Sequence, residues 1–287
     1  MLFGKIKKTF PDIRQNEPLK DHCSFKVGGP ADFFYELKNI EELPPLIIFA
    51  EENHIPNRII GRGTNILFTD KGFRGLIIKN ITNKCVINGN KIIVDSGMVF
   101  AQIIVLSAKK GLMGLEPFWG LPGTIGGAVY GNAGIPGAEI GQFVKNLTLF
   151  NIKDGVREIA GSKIDFRYRC SSLQKTNEII LRITLELKKL DVNPPARLRT
   201  QPKGYSAGSF FKNPSPDKPA GYLIDQAGLK GFRINDAQIS PQHANFFINL
   251  GKATASDIFQ LMKIAQKKVA EKFKINLEPE IKIIGDL

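Results

Sequence analysis

Five short stretches of this sequence hold residues whose types and spacing could do chemistry. Ile59-Ile60-Gly61-Arg62-Gly63-Thr64-Asn65 reads as a strand running into a GxGxN turn. Such a turn exposes successive backbone N–H groups that can cradle a diphosphate, although a plain tight turn has the same composition. It is not a Rossmann fingerprint, because position 66 is Ile rather than Gly and ILFTDKGF opens no amphipathic helix. The second stretch is Gly120-Leu121-Pro122-Gly123-Thr124-Ile125-Gly126-Gly127-Ala128, followed by Asn132-Ala133-Gly134. Its glycines again present bare backbone, suited to a phosphate or to the edge of a flat ring. Two such loops in one chain point to a dinucleotide lying between two subdomains. The others are Tyr168-Arg169 within FRYRCSS, the run from Ser206 through Ser209 to Pro214 (SAGSFFKNP), and Leu277 to Gly285 (LEPEIKIIG). Taken singly these are ordinary: a surface cation beside an aromatic ring, a turn serine, a solvated strand glutamate. No GxSxG elbow is present, so a hydrolase triad is not indicated.

The elements that must carry these stretches are legible in part. Residues 41–53 read as a short helix with prolines near its first turn. Segments 57–60 and 75–79 read as buried strands, and 84–88 with 91–95 as a hairpin about Asn88-Gly89-Asn90. A helix over 99–110 should end at Gly111. Residues 111–141 hold ten of the chain's 28 glycines, a density that marks tight turns or backbone approaching a partner closely. Strands are expected at 144–150 and 178–188. Residues 191–208 lack any hydrophobic period and make the best linker. Residues 219–227 form a helix capped by Gly228. Over 254–273, Ile258, Leu261, Met262, Ala265, Val269 and Phe273 form one apolar stripe behind an N-cap at Thr254, with Asp257 in the first turn. That stripe is core.

Composition narrows the class. The chain has 287 residues, 43% hydrophobic and 23% charged, which is ordinary for a globular protein of two or three domains. No stretch approaches the roughly 18 apolar residues that span a bilayer, and MLFGKIKKTF lacks the apolar core of a signal peptide. Cys23, Cys85 and Cys170 are far apart, and His22, His54 and His243 equally so, which argues against a disulfide framework or a metal site. The formal net charge is +13, but the lysines are spread along the whole chain. No basic run alternates with aromatics as a base-stacking platform would, so nucleic acid is not expected as a partner.

In order and spacing the five stretches, with HCSFKVGGPAD at 22–32, resemble the UDP-N-acetylenolpyruvoylglucosamine reductase family from about residue 19 to residue 285. The resemblance implies an α+β fold: a two-part FAD-binding module of the PCMH type over 1–80 and 81–195, then an α+β substrate-binding domain over 196–287. It implies a cytoplasmic enzyme of peptidoglycan precursor synthesis, with non-covalent FAD as cofactor and NADPH as co-substrate. NADPH reduces the flavin, and the reduced flavin converts UDP-N-acetylglucosamine enolpyruvate to UDP-N-acetylmuramate. FAD would be held at Gly61, Arg62, Gly63, Thr64 and Asn65, and at Pro122, Gly123, Thr124, Gly126, Gly127 and Ala128.

By the same match Arg169 and Glu280 polarise the enolpyruvyl carboxylate and Ser209 protonates the adjacent carbon. Tyr168, Asn213, Lys230, Gln238 and His243 fall at substrate-contact positions. These residue types suit the chemistry. Hydride addition leaves negative charge on the carbon beside the carboxylate, and an Arg fork matches a carboxylate. A glutamate there should have a raised pKa, since two carboxylates repel. The chain departs from the family in two places. The diphosphate loop reads GRGTN where GGGSN is usual, and the 40 positions from Arg169 to Ser209 are too few for the extra nucleotide-covering loop of some members. A related flavoprotein oxidase is the rival that keeps the fold; SFFKNP followed by LEPE argues against it.

Overall fold

The computed structural model describes residues 2–189, 202 and 204–286. They form two compact units, one drawn from Met1–Ile13, Tyr35–Arg62 and Ile77–Arg199, the other from Arg14–Phe34, Gly63–Leu76 and Thr200–Leu287. Most of the linker expected over 191–208 lies outside the described residues.

The first unit is built on a five-stranded antiparallel sheet in the order Gly155–Ala160, Val144–Asn151, Ile179–Glu186, Lys91–Asp95, Cys85–Asn88. Its register explains its core. Leu147 lies opposite Ile183, Ile183 opposite Val94, and Leu185 opposite Ile92, and all of them are buried. Side chains alternate along a strand, so this pairing gathers the apolar residues on one face. The helices Phe100–Lys109 and Ile125–Tyr130 add Phe100, Ile103, Ile104, Ile125 and Val129 to the same core. Each such side chain stabilises the fold by about 1.5–3 kcal/mol on burial. The expected hairpin closes through Gly89 and Asn90, with Gly89 at φ +59, the positive value a II′ turn requires at its first central residue. The strand expected over 178–188 stops at Glu186; Lys188–Lys189 pairs instead with Leu112–Met113.

The helix expected over 41–53 is a 3-10 turn, Ile40–Glu42, capped by the Asn39 side chain, followed by Leu43–Glu52 with its prolines in the first turn. The helix Leu2–Thr9, which the sequence pattern did not reveal, buries Ile6. Phe10, just beyond it, packs edge-on against Tyr35 and Phe49.

The second unit pairs Arg14–Pro18 antiparallel with Pro30–Leu37, and Ile66–Phe68 parallel with Lys282–Ile284. A three-stranded sheet runs Arg233–Ile234, Ala237–Ile239, Phe247–Asn249. Phe210 stacks on Phe247 at 4.1 Å between ring centres, with Phe25 and Phe211 against them. The helix Ala255–Phe273 buries Ile258, Leu261, Met262, Ala265 and Val269, while Phe273 is half-buried. Its N-terminus is heavily capped. Thr254 and Asp257 form a reciprocal capping box, and the Asp70 carboxylate accepts the N–H groups of Ala255 and Ser256. Among the described residues no helix is long and apolar enough to cross a membrane.

Candidate active site

In the first unit the strand Asn57–Ile60 delivers Gly61 onto Thr124. A Cβ at Gly61 would lie 2.6 Å from the Thr124 hydroxyl, so only glycine lets the two loops touch. Thr124 is the N-cap of Ile125–Tyr130, its hydroxyl accepting the Gly127 N–H at 3.3 Å. Gly126 sits as tightly: a Cβ there would meet the Ser96 carbonyl oxygen at 2.7 Å. Within the first unit, Gly61 of one glycine stretch and Thr124 of the other are therefore in contact.

The backbone groups of the two stretches are engaged differently. The Ile125 and Gly126 N–H groups donate to the carbonyls of Met98 and Ser96, both at 2.9 Å, so they are not bare. Among the described residues the N–H groups of Arg62, Gly63, Thr64 and Asn65 have no acceptor within the chain. In the second stretch the N–H groups of Gly123 and Thr124 likewise have no acceptor among the described residues. Arg62 is exposed and, among the described residues, forms no ion pair. Four N–H groups in succession beside one cation suit the diphosphate of a dinucleotide such as FAD.

Arg169 stands in the same unit. Phe166–Arg167 pairs with Cys170–Ser171, leaving Tyr168 and Arg169 as a two-residue turn. Arg169 has φ +54, a left-handed conformation that costs a non-glycine residue about 1–2 kcal/mol. Its guanidinium lies 5.1 Å from the centre of the exposed Tyr168 ring. Asn132, wholly buried, donates to the Arg167 carbonyl at 2.9 Å and accepts the Gly141 N–H at 3.1 Å.

Ser209 and Glu280 stand in the second unit and are brought together by backbone. Ser209 bridges to Phe246, and the Glu280 N–H donates to the carbonyl of Phe210, the residue after Ser209, at 2.8 Å. Among the described residues the Ser209 hydroxyl has no hydrogen-bond partner within the chain. The segment is held by Asn245, buried, whose side-chain amide takes the Phe211 N–H at 2.9 Å and donates to the Phe211 carbonyl at 2.8 Å. Sequence reasoning missed Asn245, because nothing in HANFF distinguishes a core amide from a surface one.

The remaining candidates also lie in the second unit. Asn213 accepts the Ala220 N–H at 3.0 Å, at the start of the helix Ala220–Gln226. The imidazole of His243 accepts the Asn245 N–H at Nδ1, 3.2 Å, which leaves a neutral ring's proton on Nε2. Partial desolvation pushes His243 below the ordinary histidine range, with the Lys230 cation adding to the effect. Lys230 itself pairs with Asp225 at 3.2 Å, and Gln238 donates to the Gly231 carbonyl at 3.2 Å.

Two family models match the chain. Residues 31–159 match the FAD binding domain, and residues 201–284 match the UDP-N-acetylenolpyruvoylglucosamine reductase C-terminal domain. The UDP-N-acetylenolpyruvoylglucosamine reductase of Anoxybacillus flavithermus is 39% identical over 95% of this chain and 94% of its own. That of Caldanaerobacter subterraneus subsp. tengcongensis is 38% identical over 100% of this chain and 99% of its own. Among solved structures, the UDP-N-acetylenolpyruvylglucosamine reductase of Thermus caldophilus superposes with a TM-score of 0.77 at 31% identity, covering 95% of this chain and 98% of that one. Full-length identity of this order, on a fold that pairs an FAD binding domain with that C-terminal domain, makes this chain a member of the UDP-N-acetylenolpyruvoylglucosamine reductase family.

Proposed function

We infer that the chain is an FAD-dependent oxidoreductase that uses NADPH to reduce UDP-N-acetylglucosamine enolpyruvate to UDP-N-acetylmuramate in peptidoglycan synthesis. The observation that carries this reading is the cradle of Gly61 on Thr124, with four successive N–H groups beside it, in a chain of this family. When bound, FAD supplies the hydride relay between NADPH and the enolpyruvyl group. The cradle residues at 61–65 and 122–128 hold it. We place the reaction in the cytoplasm, where NADPH and UDP-sugars are found. We divide the chain's roles between 1–80 and 81–195 for the cofactor and 196–287 for the substrate.

Around the enolpyruvyl group the work falls to three side chains. Arg169 offers its planar fork to the carboxylate and meets the charge that builds there, a contribution typically about 2.7–4 kcal/mol per donor. Glu280 acts on the carboxylate in the protonated form, since a second carboxylate would be repelled. Ser209 gives its hydroxyl proton to the carbon next to the carboxylate and is resupplied from solvent. A hydroxyl with no partner among the described residues is available for that transfer. Asn213, Lys230, Gln238, His243 and Tyr168 are the proposed contacts to the rest of the substrate. The Lys230–Asp225 pair and the Gln238–Gly231 bond would have to be exchanged for such contacts.

The test is spectroscopic. Purified chain should be yellow, lose its colour with NADPH, and regain it when the enolpyruvyl substrate is added. Acid or heat should release all the flavin into the supernatant. Colour that stays with the precipitate would overturn non-covalent binding. Reoxidation by O₂ but not by the enolpyruvyl ether would favour the oxidase instead.

A further inference from the structure

We propose that Gln174 is a positioning residue for Arg169, holding the turn that carries it in its left-handed conformation; this rests on the reading of Arg169 as the partner of the substrate carboxylate. The turn has only two residues, and its second is an arginine at φ +54, where a turn ordinarily takes glycine or asparagine. Such a conformation persists only where the surroundings over-determine it. The Gln174 side-chain amide supplies that constraint. Its Nε2 donates to the Tyr130 carbonyl at 2.9 Å and reaches the Arg169 carbonyl at 3.5 Å. The Tyr130 carbonyl also accepts the Ser171 hydroxyl at 2.7 Å, and Asn132 holds the Arg167 carbonyl.

Residues 167, 169 and 171 are therefore all tied, through side-chain amides and a hydroxyl, to the stretch 130–132. That stretch closes the helix Ile125–Tyr130, whose first turn forms part of the glycine cradle. The arginine is fixed to the helix that also supports the flavin loop. Of the three tying residues, Gln174 alone reaches the backbone of Arg169 itself. It is half-buried, and it lies in the short 3-10 turn Ser172–Lys175, which its amide is not needed to form.

The experiment compares Gln174→Met, which keeps the side chain's length and removes its donors, with Gln174→Glu, Arg169→Ala and the double variant Gln174→Met/Arg169→Ala. Bleaching by NADPH and reoxidation by the enolpyruvyl substrate are followed separately by stopped flow, with bound flavin and the melting curve as checks on the fold. Gln174→Met should retain flavin and bleach at the normal rate. Its reoxidation should slow roughly tenfold, the loss expected for one or two hydrogen bonds that act only through geometry. Gln174→Glu, which sets a carboxylate against two carbonyls, should slow it further.

In the Arg169→Ala background the Gln174→Met change should have no additional effect on reoxidation, because a positioning residue has nothing left to position. An equal slowing in both backgrounds would overturn the proposal, as would slowed bleaching or flavin loss in Gln174→Met. Normal reoxidation in Gln174→Met with slow reoxidation in Arg169→Ala would overturn it while leaving the reading of Arg169 intact. Normal reoxidation in Arg169→Ala would overturn that reading, and the proposal with it.

Discussion

Arginine is a poor residue for a left-handed turn position, yet Arg169 occupies one, and the amides around it were invisible in the sequence. The type and order of the candidate residues were legible because a strand running into glycines, and a serine inside AGSFFKNP, are local patterns. The sign of a φ angle is not local: it depends on what grips the turn, here side chains 35 to 44 positions away from their partners in the chain. Ser209 is the opposite case. Its place beside Glu280 follows from a backbone bond at Phe210, and its hydroxyl is otherwise uncommitted among the described residues. General acid catalysis contributes about 10²–10⁴-fold, and only the reoxidation step needs a proton at carbon. Ser209→Ala should therefore bind flavin and bleach with NADPH as the unsubstituted chain does, while reoxidation by the enolpyruvyl substrate slows by about that factor. Unchanged reoxidation would remove Ser209 as proton donor; equal slowing of both steps would make it a flavin-placing residue.

At the scale of elements, the four helices read from the sequence were correct in kind because their apolar spacing repeats every turn, as in Ala255–Phe273, whereas Leu2–Thr9 and Ile125–Tyr130 were not read as helices. Ladders of two residues, such as Phe166–Arg167 with Cys170–Ser171, carry no period and could not be found that way. The order of the five-stranded sheet was equally hidden, since it joins strands by contacts far apart in the chain. The second glycine loop was read as bare backbone, and its helix engages two N–H groups, those of Ile125 and Gly126, with Met98 and Ser96. A consequence is that Gly126 matters for packing. Gly126→Ala should drive a methyl against the Ser96 carbonyl, cost about 1–3 kcal/mol in a denaturant titration, and weaken FAD binding measured by flavin fluorescence. Gly131→Ala, where the nearest atom is a carbonyl oxygen at 3.4 Å, should do neither.

The cap of Ala255–Phe273 makes a pH prediction. Burial alone would raise the Asp257 carboxyl, but bonds from the Thr254 N–H, the Asn235 amide and the Thr254 hydroxyl outweigh it and hold it below the ordinary range. A carboxyl depressed in the folded state contributes stability that is present above its unfolded pKa, about 3.9, and lost as pH falls through the folded value. Denaturant midpoints taken from pH 6 down to pH 3 should fall more steeply for the unsubstituted chain than for Asp257→Asn. Parallel curves would mean the capping carboxylate is not linked to folding.

On the scale of the whole molecule, charge is the feature that composition announced and that the fold does not explain. The formal net charge is +13, and many of the basic side chains that form ion pairs do so at the surface, as Lys38–Asp12 and Arg74–Asp32 do. Both proposed substrates are polyanions. If this surplus draws them in, KM for NADPH and for the UDP-sugar should each rise between 0.05 and 0.3 M salt, since exposed attraction is screened over about 10 Å at 0.1 M. A flat response would make the charge a matter of solubility alone.

The way the second unit is threaded has a further consequence, for the order of events on the ribosome. Its strand Ile66–Phe68 pairs with Lys282–Ile284, a partner translated 216 positions later. Until that partner emerges, the early strand is an open edge, and the loop that must close is long. At roughly 5–20 residues per second, the early strand waits tens of seconds or less for its partner. A nascent chain can thus assemble Gly61 against Thr124 well before Glu280 exists. The Gly61–Thr124 contact can form in a molecule whose Asn65 still lacks its bonds to Glu280 and Lys282, and its exposed strand is then a natural target for a chaperone.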